Sequence, residues 1–309
     1  MLRRNAEMEL ILERLRAAPA VDYRAMPITE ARRLFDAAAA PWNQGAPEME
    51  TRQLEIPAHG QTMRARLYLP RKAAQLPLIL FAHGGGWTFG SVDTHDATMR
   101  HLALASGCAV LGMDYRLAPE HPFPAPLDDV MAALDFAESG ALGERVDATQ
   151  LALAGDSAGA NLALAALLRR RDAGKPPLRS AALFYGCYVP LFTTASHLSH
   201  GGGEFLLSTE MMRWYWRNFL GPDRDETQSL AAPYRADLAG LPPLYLAAAG
   251  FDPLLDDTVM LAEKLTRAAV DFRFDHVPCV VHGFLRMANE LGVARRSIEA
   301  AGRFLAEHF

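Results

Sequence analysis

LALAGDSAGANLALAALL, residues 151–168, is the most informative stretch of this 309-residue chain. It begins as an unbroken apolar run typical of a buried strand and ends in the alanine- and leucine-rich pattern of a helix. Between them, Gly155-Asp156-Ser157-Ala158-Gly159 has the G-x-S-x-G form of a nucleophile elbow, a sharp turn where larger side chains at the glycines would clash. A serine that only caps a helix is the alternative. The strand–turn–helix setting favours the nucleophile.

Apolar runs on both sides of this stretch alternate with helix-length segments. Strands that are buried on both faces read as continuous apolar runs, so the pattern predicts a mostly parallel sheet with helices on both faces, the α/β class. Residues 52–70 add two strands joined at His59-Gly60. The other six of the eight predicted strands are 76–82, 109–113, 151–155, 181–186, 243–249 and 272–276.

Two segments fall outside this alternation. Residues 1–45 predict two helices, and residues 187–226 are loop-rich with one helical segment. Insertions of that length in a compact fold are usually functional, so we expect both segments to form a cap. The helices are expected at 3–17, 28–40, 208–219 and 293–307. The expected domains are N-terminal cap helices 1–45, a catalytic core of 46–186 and 227–309, and a cap insertion 187–226.

Two loops downstream of Ser157 supply a candidate acid and a candidate base. A serine needs a base that is oriented by an acid, and in the nucleophile-elbow fold the chain order is Ser, acid, His. Asp252 and His282 fit that order and follow predicted strands, at whose carboxyl ends ligands bind. Asp252 is also a good helix N-cap before Pro253, a role that can coexist with catalysis. His276 is the rival base, but it ends a strand rather than lying in the loop beyond.

The sequence HGGG occurs twice, at 83–86 and at 200–203. When a serine attacks a carbonyl group, N–H donors have to stabilise the oxyanion that develops. In the nucleophile-elbow fold these donors come from the loop after the third strand and from the residue after the nucleophile, here Ala158. The first copy follows strand 76–82 and is therefore expected to serve chemistry. The second copy follows no strand, and we expect a flexible cap loop there. Whether it borders the acyl pocket is left open.

Together these motifs make the chain similar to the hormone-sensitive-lipase family of α/β-hydrolases, in its GDSAG form. The resemblance runs from about residue 54 to the C-terminus. It implies the α/β-hydrolase fold, carboxylester hydrolysis by Ser157, Asp252 and His282, oxyanion donors at Gly85, Gly86 and Ala158, and a preference for short-to-medium acyl chains. The matching pieces are HGGGW (83–87), DYRLAPEHPFPAPLDD (114–129), GDSAGAN (155–161), FDPLLDD (251–257) and HGF (282–284).

The resemblance also suggests supporting and substrate-binding residues. His83 and Asp156 are expected to support the site, and Arg116 and Glu120 to join a polar network with Asp128 or Asp129. The alternative is that these residues form surface salt bridges, which contribute little to stability. Trp87, Trp214 and Phe284 are candidates for the pocket, although aromatic residues on helices more often pack. Departures from the family pattern, Ala160 and the stretch PCVVHGF (278–284), affect the expected substrate rather than the reaction.

Composition limits the remaining function classes. The net charge of −5, without a basic cluster beyond LLRRR (167–171), argues against nucleic acid as a partner. Three scattered cysteines fit a reducing compartment. The sequence contains no run of 18 apolar residues, so we expect no membrane-spanning helix. His197 and His200 form an HxxH pair without a glutamate or a third ligand, so we expect no metal and no cofactor. The expected setting is cytoplasmic, with a small-molecule ester as partner and a homodimer left open.

Three alternatives to an esterase stay open at this point. The nucleophile machinery does not distinguish an esterase from an amidase, peptidase, lactonase or lipase on the same fold. A binding module without catalysis is a second alternative, disfavoured because Ser157, Asp252 and His282 occur together. An interaction protein with an exposed patch at Trp214–Trp216 is the third, which the exposure of that helix tests.

Overall fold

The computed structural model describes residues 5–222 and 225–309, and an eight-stranded sheet runs through its centre. The sheet order is β1-β2-β4-β3-β5-β6-β7-β8; β1 pairs with β2 and β2 with β4 in antiparallel register, and all other pairs are parallel. The predicted α/β class is therefore confirmed. The strands are β1 (Glu50–Ala58), β2 (Gln61–Leu69), β3 (Leu76–Ala82), β4 (Ala109–Met113), β5 (Val146–Asp156), β6 (Ala181–Phe184), β7 (Leu244–Phe251) and β8 (Phe272–Val281).

Helices cover both faces of the sheet. Successive side chains of a strand point to opposite faces, so Leu78 and Leu80 of β3 join one apolar cluster while Ile79 and Phe81 join the other. Helices α4, α5 and α8 pack in the first cluster, and α3, α9 and α1 in the second. The helices are α1 (Ala6–Ala17), α2 (Ile28–Ala39), α3 (Asp96–Ser106), α4 (Ala125–Glu138), α5 (Ala158–Asp172), α6 (Ala195–His200), α7 (Thr209–Leu220), α8 (Leu255–Arg267) and α9 (Gly292–Ala306).

The predicted boundaries differ from the structure mainly at the last strand. The sequence predicts that the last strand ends at residue 276, but β8 continues to Val281. Its pairing with β7 shifts register and resumes between Phe251 and Val281. Pro278 is tolerated because β8 is an edge strand. His276 therefore lies within the strand, exposed. Residues 3 and 4 of the helix predicted at 3–17, and residues 223–224 of the insertion, lie outside the described residues.

Helix α5 packs unusually close to the sheet. A Cβ on Gly159 would lie 1.9 Å from the carbonyl oxygen of Ala82, so only glycine fits there. Nearly all side chains of α5 are buried, which explains its run of small and apolar residues. The close contact brings the beginning of the helix to the carboxyl end of β3. No helix in the described ranges has the length and apolar character needed to cross a bilayer.

Candidate active site

Ser157 lies at the turn between β5 and α5. Its backbone has φ 54° and ψ −119°, a conformation that costs a non-glycine residue about 1–3 kcal/mol. The Ser157 N–H donates to the carbonyl of Phe184 (2.9 Å), which helps to hold the turn. A Cβ at Gly155 would lie 2.5 Å from the Gly159 backbone, so both motif glycines are sterically required. This strained turn projects the Ser157 hydroxyl beyond the sheet.

The three predicted residues of the triad lie together. His282 Nε2 is 2.9 Å from Ser157 Oγ, and His282 Nδ1 is 2.7 Å from Asp252 Oδ2. Asp252 is fully buried, and its other oxygen accepts the N–H of Leu254 (2.8 Å). The carboxylate selects the imidazole tautomer with a proton on Nδ1, which leaves Nε2 free to accept the serine proton. The expectation that Asp252 is a helix N-cap is wrong, because α8 begins at Leu255 with Leu254 as its N-cap. The Asp252 carboxylate instead closes the turn before the helix while it orients His282.

The first HGGG copy forms a loop beside the serine. Gly85 and Gly86 have φ values of 119° and 60°, and both line the same cavity as Ser157. A Cβ on Gly85 would lie 2.2 Å from the Phe89 carbonyl oxygen, and one on Gly86 would lie 2.2 Å from the ring of Tyr215. Side chains are thus excluded from this loop, which leaves its backbone facing the cavity. Helix α5 begins at Ala158, directly after Ser157.

Buried polar groups hold the loop to the elbow. Asp156 accepts the N–H of Gly84 (2.8 Å) and the hydroxyl of Tyr185 (3.3 Å), and His95 Nε2 lies 3.4 Å from its carboxylate. Burial acts to raise the pKa of Asp156. The interactions with His95, Arg286 and the Gly84 N–H together outweigh burial, and the pKa is lowered. Asp156 is therefore the ionised anchor of this loop. No motif in the sequence pointed to His95, which lies immediately before α3.

His83 supports the same loop as a neutral side chain. Burial, reinforced by the field of His95, lowers the pKa of His83 to about 3. Its Nδ1 lies 2.8 Å from the Gly84 carbonyl, and its ring stacks on Tyr115 at 4.3 Å. The structure thus places His83 beside the site, as the sequence suggested.

The predicted network of Arg116 and Glu120 is divided in the structure. Arg116 forms a two-pronged ion pair with the buried Asp129, at 2.8 and 2.9 Å. Glu120 instead binds Arg32 of α2, at 2.7 and 2.8 Å. Arg32 also donates to the carbonyls of Thr88 and Ala118, 3.0 Å each. The expectation that Glu120 joins Arg116 is wrong, because a side chain from the N-terminal segment occupies its carboxylate.

A cavity of about 300 Å³ opens onto Ser157 and His282. Residues of α1, α2 and α7 and of the loops near them contribute most of its wall, which is largely apolar. The lining residues other than Ser157, His282 and the two glycines are Leu15, Tyr23, Phe35, Ala38, Ala39, Trp42, His95, Asp156, Leu206, Leu207, Met211, Met212, Tyr215, Gly283, Arg286 and Met287. Sequence reasoning missed the apolar members of this set, since nothing in the pattern separates a pocket wall from a core.

The three aromatic residues expected in the pocket do not line it. Trp87 is fully buried and stacks on Phe219 (4.1 Å), and Phe284 is buried against Tyr185 (5.3 Å). Trp214 is half-buried and stacks on Phe89 (5.9 Å). These expectations are wrong, because all three rings pack against neighbouring aromatic side chains instead. The same packing buries Tyr215 and Trp216, which removes the exposed patch required by an interaction protein.

The second HGGG copy lies away from the cavity. His200 ends α6, and its ring contacts Phe205 (5.4 Å) and Phe251 (5.7 Å). Gly202 forms an isolated β-bridge with Ser208, which closes the turn. None of residues 200–203 lines the cavity, although Leu206 and Leu207 just beyond them do.

Asp257 is a buried carboxyl group next to the site. It lies in the first turn of α8, only 1% exposed, and accepts the N–H of Tyr188 (2.9 Å). Burial raises the pKa of Asp257 to about 8; the backbone hydrogen bonds from Tyr188 and Val189 act to lower it, while Asp252 and Asp256 add to the rise. The folded protein therefore keeps a proton here that the unfolded chain releases near its ordinary pKa of 3.8.

This proton makes stability depend on pH. Because the native state binds the extra proton, its stabilising effect is complete below pH ~4 and is lost as the pH rises through about 8. Asp257→Asn keeps the acceptor for Tyr188 and removes the titration. We expect the wild-type Tm, relative to Asp257→Asn, to fall by several degrees between pH 5 and pH 9, measured by differential scanning calorimetry. The exposed Asp271→Asn is the matched control; Tm differences that stay constant with pH for Asp257→Asn would contradict the assignment.

Comparison with known proteins agrees with this geometry. A family model described as the alpha/beta hydrolase fold matches residues 79–286. Carboxylesterase NlhH of Mycobacterium tuberculosis is 36% identical over 265 residues, which cover 84% of this chain and 82% of that protein. An esterase of Pyrobaculum calidifontis aligns with a TM-score of 0.92 at 30% identity over 98% of both chains. An ester hydrolase from the Lake Arreo metagenome, solved with a bipyridine phosphonate derivative, aligns with a TM-score of 0.93 at 32% identity over 99% of both chains.

The family model matches most of the chain. The 36% identity to the mycobacterial carboxylesterase is higher than a shared fold alone requires. The sheet order, the elbow and the order of the motifs agree with both. This chain belongs to the α/β-hydrolase family of hormone-sensitive-lipase-like carboxylesterases and is a carboxylic ester hydrolase.

Proposed function

We propose that the chain is a serine carboxylesterase that hydrolyses short-to-medium acyl esters through an acyl-enzyme intermediate. Ser157 Oγ attacks the ester carbonyl while His282 Nε2 takes its proton and later returns it to the leaving alcohol. Asp252 fixes the imidazole tautomer and stabilises the imidazolium. Water activated by His282 then cleaves the acyl-enzyme and releases Ser157.

The observation that carries the proposal is the continuous hydrogen-bonded line from Ser157 through His282 to the buried Asp252. Both links, 2.9 Å and 2.7 Å, are within hydrogen-bonding distance. Asp252 is shielded from water, so its charge acts on His282 with little screening. A serine placed on a strained turn beside such a pair fits nucleophilic catalysis better than it fits a helix cap.

The oxyanion site is proposed at the backbone N–H groups of Gly85, Gly86 and Ala158. The exposure of Gly85 and Gly86 to the Ser157 cavity is supported by their place in its wall, by their positive φ values and by the steric exclusion of any Cβ there. Ala158 directly follows Ser157 and begins α5. The N-terminus of α5 adds the positive end of its helix dipole at the same place. Donors fixed in this way need little reorganisation as negative charge develops.

The preference for short-to-medium acyl chains is supported by the size and the walls of the cavity. Its volume of about 300 Å³ is at the low end of the ~300–1,000 Å³ typical of small-molecule sites. Side chains from two segments, residues 1–45 and 187–226, cover the cavity, and Tyr23, Phe35 and Met211 are among them. We propose these two segments as the cap, over a catalytic core of 46–186 and 227–309.

Contacts between the cap segments and the core are extensive. Met8, Ile11 and Leu12 of α1 are buried in the core cluster that contains α9. Tyr23 and Phe35 pack on Phe89, at 5.4 and 5.0 Å between ring centroids. These contacts support a cap that stays over the site. We further propose a cytoplasmic setting and a small-molecule ester as the partner.

Hydrolysis of p-nitrophenyl esters from acetate to palmitate, with EDTA present, tests this function. We expect activity to be highest on short-to-medium chains, to fall steeply towards palmitate, and to be insensitive to EDTA. Ser157→Ala should be near background on every ester, because it removes the only nucleophile at the elbow. Matched ester and amide substrates separate this function from an amidase on the same fold.

The outcomes distinguish the alternatives. Full activity of Ser157→Ala would show that the elbow is not the nucleophile. A wild type that is inert on every ester would point to a binding module, and faster turnover of the amide would replace the esterase by an amidase. A maximum at palmitate would contradict the chain-length proposal while leaving the triad intact.

A further inference from the structure

The side chain of Arg286 is the feature of the cavity that ester hydrolysis alone does not use. It lies in the single turn Phe284–Met287, immediately after His282 and Gly283, and it lines the cavity with Ser157. Phe284, Leu285 and Met287 of this turn are buried, so the turn is held by the core. Arg286 and Met287 both line the cavity, and Arg286 is the charged one of the two. A cation is thus presented on a rigid element beside the reacting groups.

This guanidinium forms no direct ion pair, although its charge helps to lower the pKa of the buried Asp156. Across residues 5–222 and 225–309, no carboxylate lies within 4.0 Å of Arg286, and no side-chain hydrogen bond to it is formed. It lies over the face of Phe35, with the guanidinium carbon 5.3 Å from the ring centroid. By contrast, Arg32 and Arg116 are each held by a carboxylate. Half-burial of a cation without a counter-ion is costly in a largely apolar cavity.

The field of Arg286 reaches the wall of the cavity. Burial raises the pKa of Tyr23 and of Tyr215, and Arg286 opposes the rise at both hydroxyl groups. Its Nη2 would lie 3.7 Å from a Cβ on Gly283, next to the proposed base. The guanidinium is therefore located between the cap and the triad, where part of a bound ester would lie.

Asp156 is the one anion near enough to compete for this charge. Its carboxylate is already engaged by Gly84, Tyr185 and His95. The five N–H donors of Arg286 consequently remain open to a ligand. A planar guanidinium matches a carboxylate with two parallel hydrogen bonds, which makes an arginine a selective reader of that group.

We propose that Arg286 binds a carboxylate on the substrate, so that this enzyme prefers esters that carry a second, ionised carboxyl group remote from the scissile bond. The inference rests on the proposed function, because it assumes that Ser157 and the cavity hold the ester. The substrate class is a monoester of a dicarboxylic acid, or an ester whose alcohol bears a carboxylate. The guanidinium accepts the charge that would otherwise lose its hydration in an apolar cavity.

Two matched substrate pairs test this assignment. Monoethyl adipate and ethyl hexanoate differ in a carboxylate on the acyl side, and 4-(butyryloxy)benzoate and its methyl ester differ in a carboxylate on the alcohol side. For each pair the measured quantity is the ratio of kcat/KM for the charged ester to that for the neutral one. We expect Arg286→Gln to lower this ratio by roughly 10–100-fold for at least one pair.

The control variants separate recognition from general effects of charge. Arg286→Lys keeps the positive charge but lacks the planar guanidinium with its two parallel N–H donors, and it should retain part of the preference for the charged ester. Arg296→Gln removes the same charge from an exposed position on α9 and should leave both ratios unchanged. The pair that responds in Arg286→Gln shows whether the carboxylate is recognised on the acyl or the alcohol side.

Two results would overturn the inference. Ratios in Arg286→Gln equal to those of the wild type for both pairs would show that the guanidinium does not contact the charge. Equal losses on the charged and the neutral ester would show a structural role instead. Neither result affects the proposed function, which fails separately if the wild type is inert on neutral esters as well or if Ser157→Ala remains active.

Discussion

Replacing His282 by alanine is expected to lower kcat by about 10⁴–10⁶-fold on p-nitrophenyl butyrate. Among the residues that the structure describes, His282 is the only group hydrogen-bonded to Ser157 Oγ that can accept its proton and then return it to the leaving alcohol. The serine and its base act as one unit, so Ser157→Ala and the double variant should each lose about as much as His282→Ala alone. Steady-state rates on all three variants, normalised to folded protein, measure this.

Asp252→Asn tests the orientation of the same imidazole. The amide oxygen can still accept from Leu254, which turns the amide nitrogen towards His282 Nδ1. That ring nitrogen would then accept a hydrogen bond, and the proton would sit on Nε2, where the serine proton has to go. We expect a loss of about 10⁴-fold in kcat.

His276→Ala is the matched control for both changes. This exposed histidine on β8 was the rival base in the sequence, and its loss should change kcat by less than about twofold, as surface substitutions usually do. A large loss in His276→Ala together with an active His282→Ala would reverse the assignment of the base.

Gly85→Ala is expected to lower kcat by about 10²–10³-fold, the loss typical of one missing oxyanion donor. At φ 119° an alanine is strained, and its Cβ would lie 2.2 Å from the Phe89 carbonyl oxygen, so the loop has to move. Movement takes the N–H groups of Gly85 and Gly86 away from the place where negative charge develops. The measurement is kcat per active site, titrated with a phosphonate that reacts with the serine.

The second HGGG copy supplies the control for this prediction. At Gly202 the backbone is ordinary, and the nearest atom to an added Cβ is the flexible end of the exposed Glu204 side chain. Gly202→Ala should therefore keep kcat within about twofold of the wild type. Equal losses in Gly85→Ala and Gly202→Ala would contradict the assignment of the oxyanion donors to the first copy.

The fold was largely accessible from local patterns. Apolar runs mark the parallel strands because both faces of this sheet are buried, and Gly159 marks a helix–strand contact that no side chain tolerates. The triad candidates followed from motif order, since loops after parallel strands converge on one edge of the sheet. The end of β8 was missed because its continuation depends on pairing with β7 across a register shift rather than on its own residues.

The residues of the substrate cavity were not accessible in the same way. Trp87 and Phe284 resemble pocket residues by their position next to catalytic motifs, yet both are buried in the packing between segments. Tyr23 and Met211, which line the cavity, come from parts of the chain far from any motif. Glu120 was assigned to the wrong partner for the same reason, because Arg32 reaches it across 88 residues of sequence.

The amino-acid sequence by itself determined the α/β class and the strand–turn–helix setting of Ser157, because each depends on steric and hydrogen-bonding demands within a few residues. It also predicts chemistry at the first HGGG copy. Only the tertiary structure decided which side chains enclose the cavity, which ion pairs tie the N-terminal segment to the core, and that Arg286 faces the cavity without a counter-ion. Those properties depend on distances between segments remote in the chain, and local pattern carries no information about such distances.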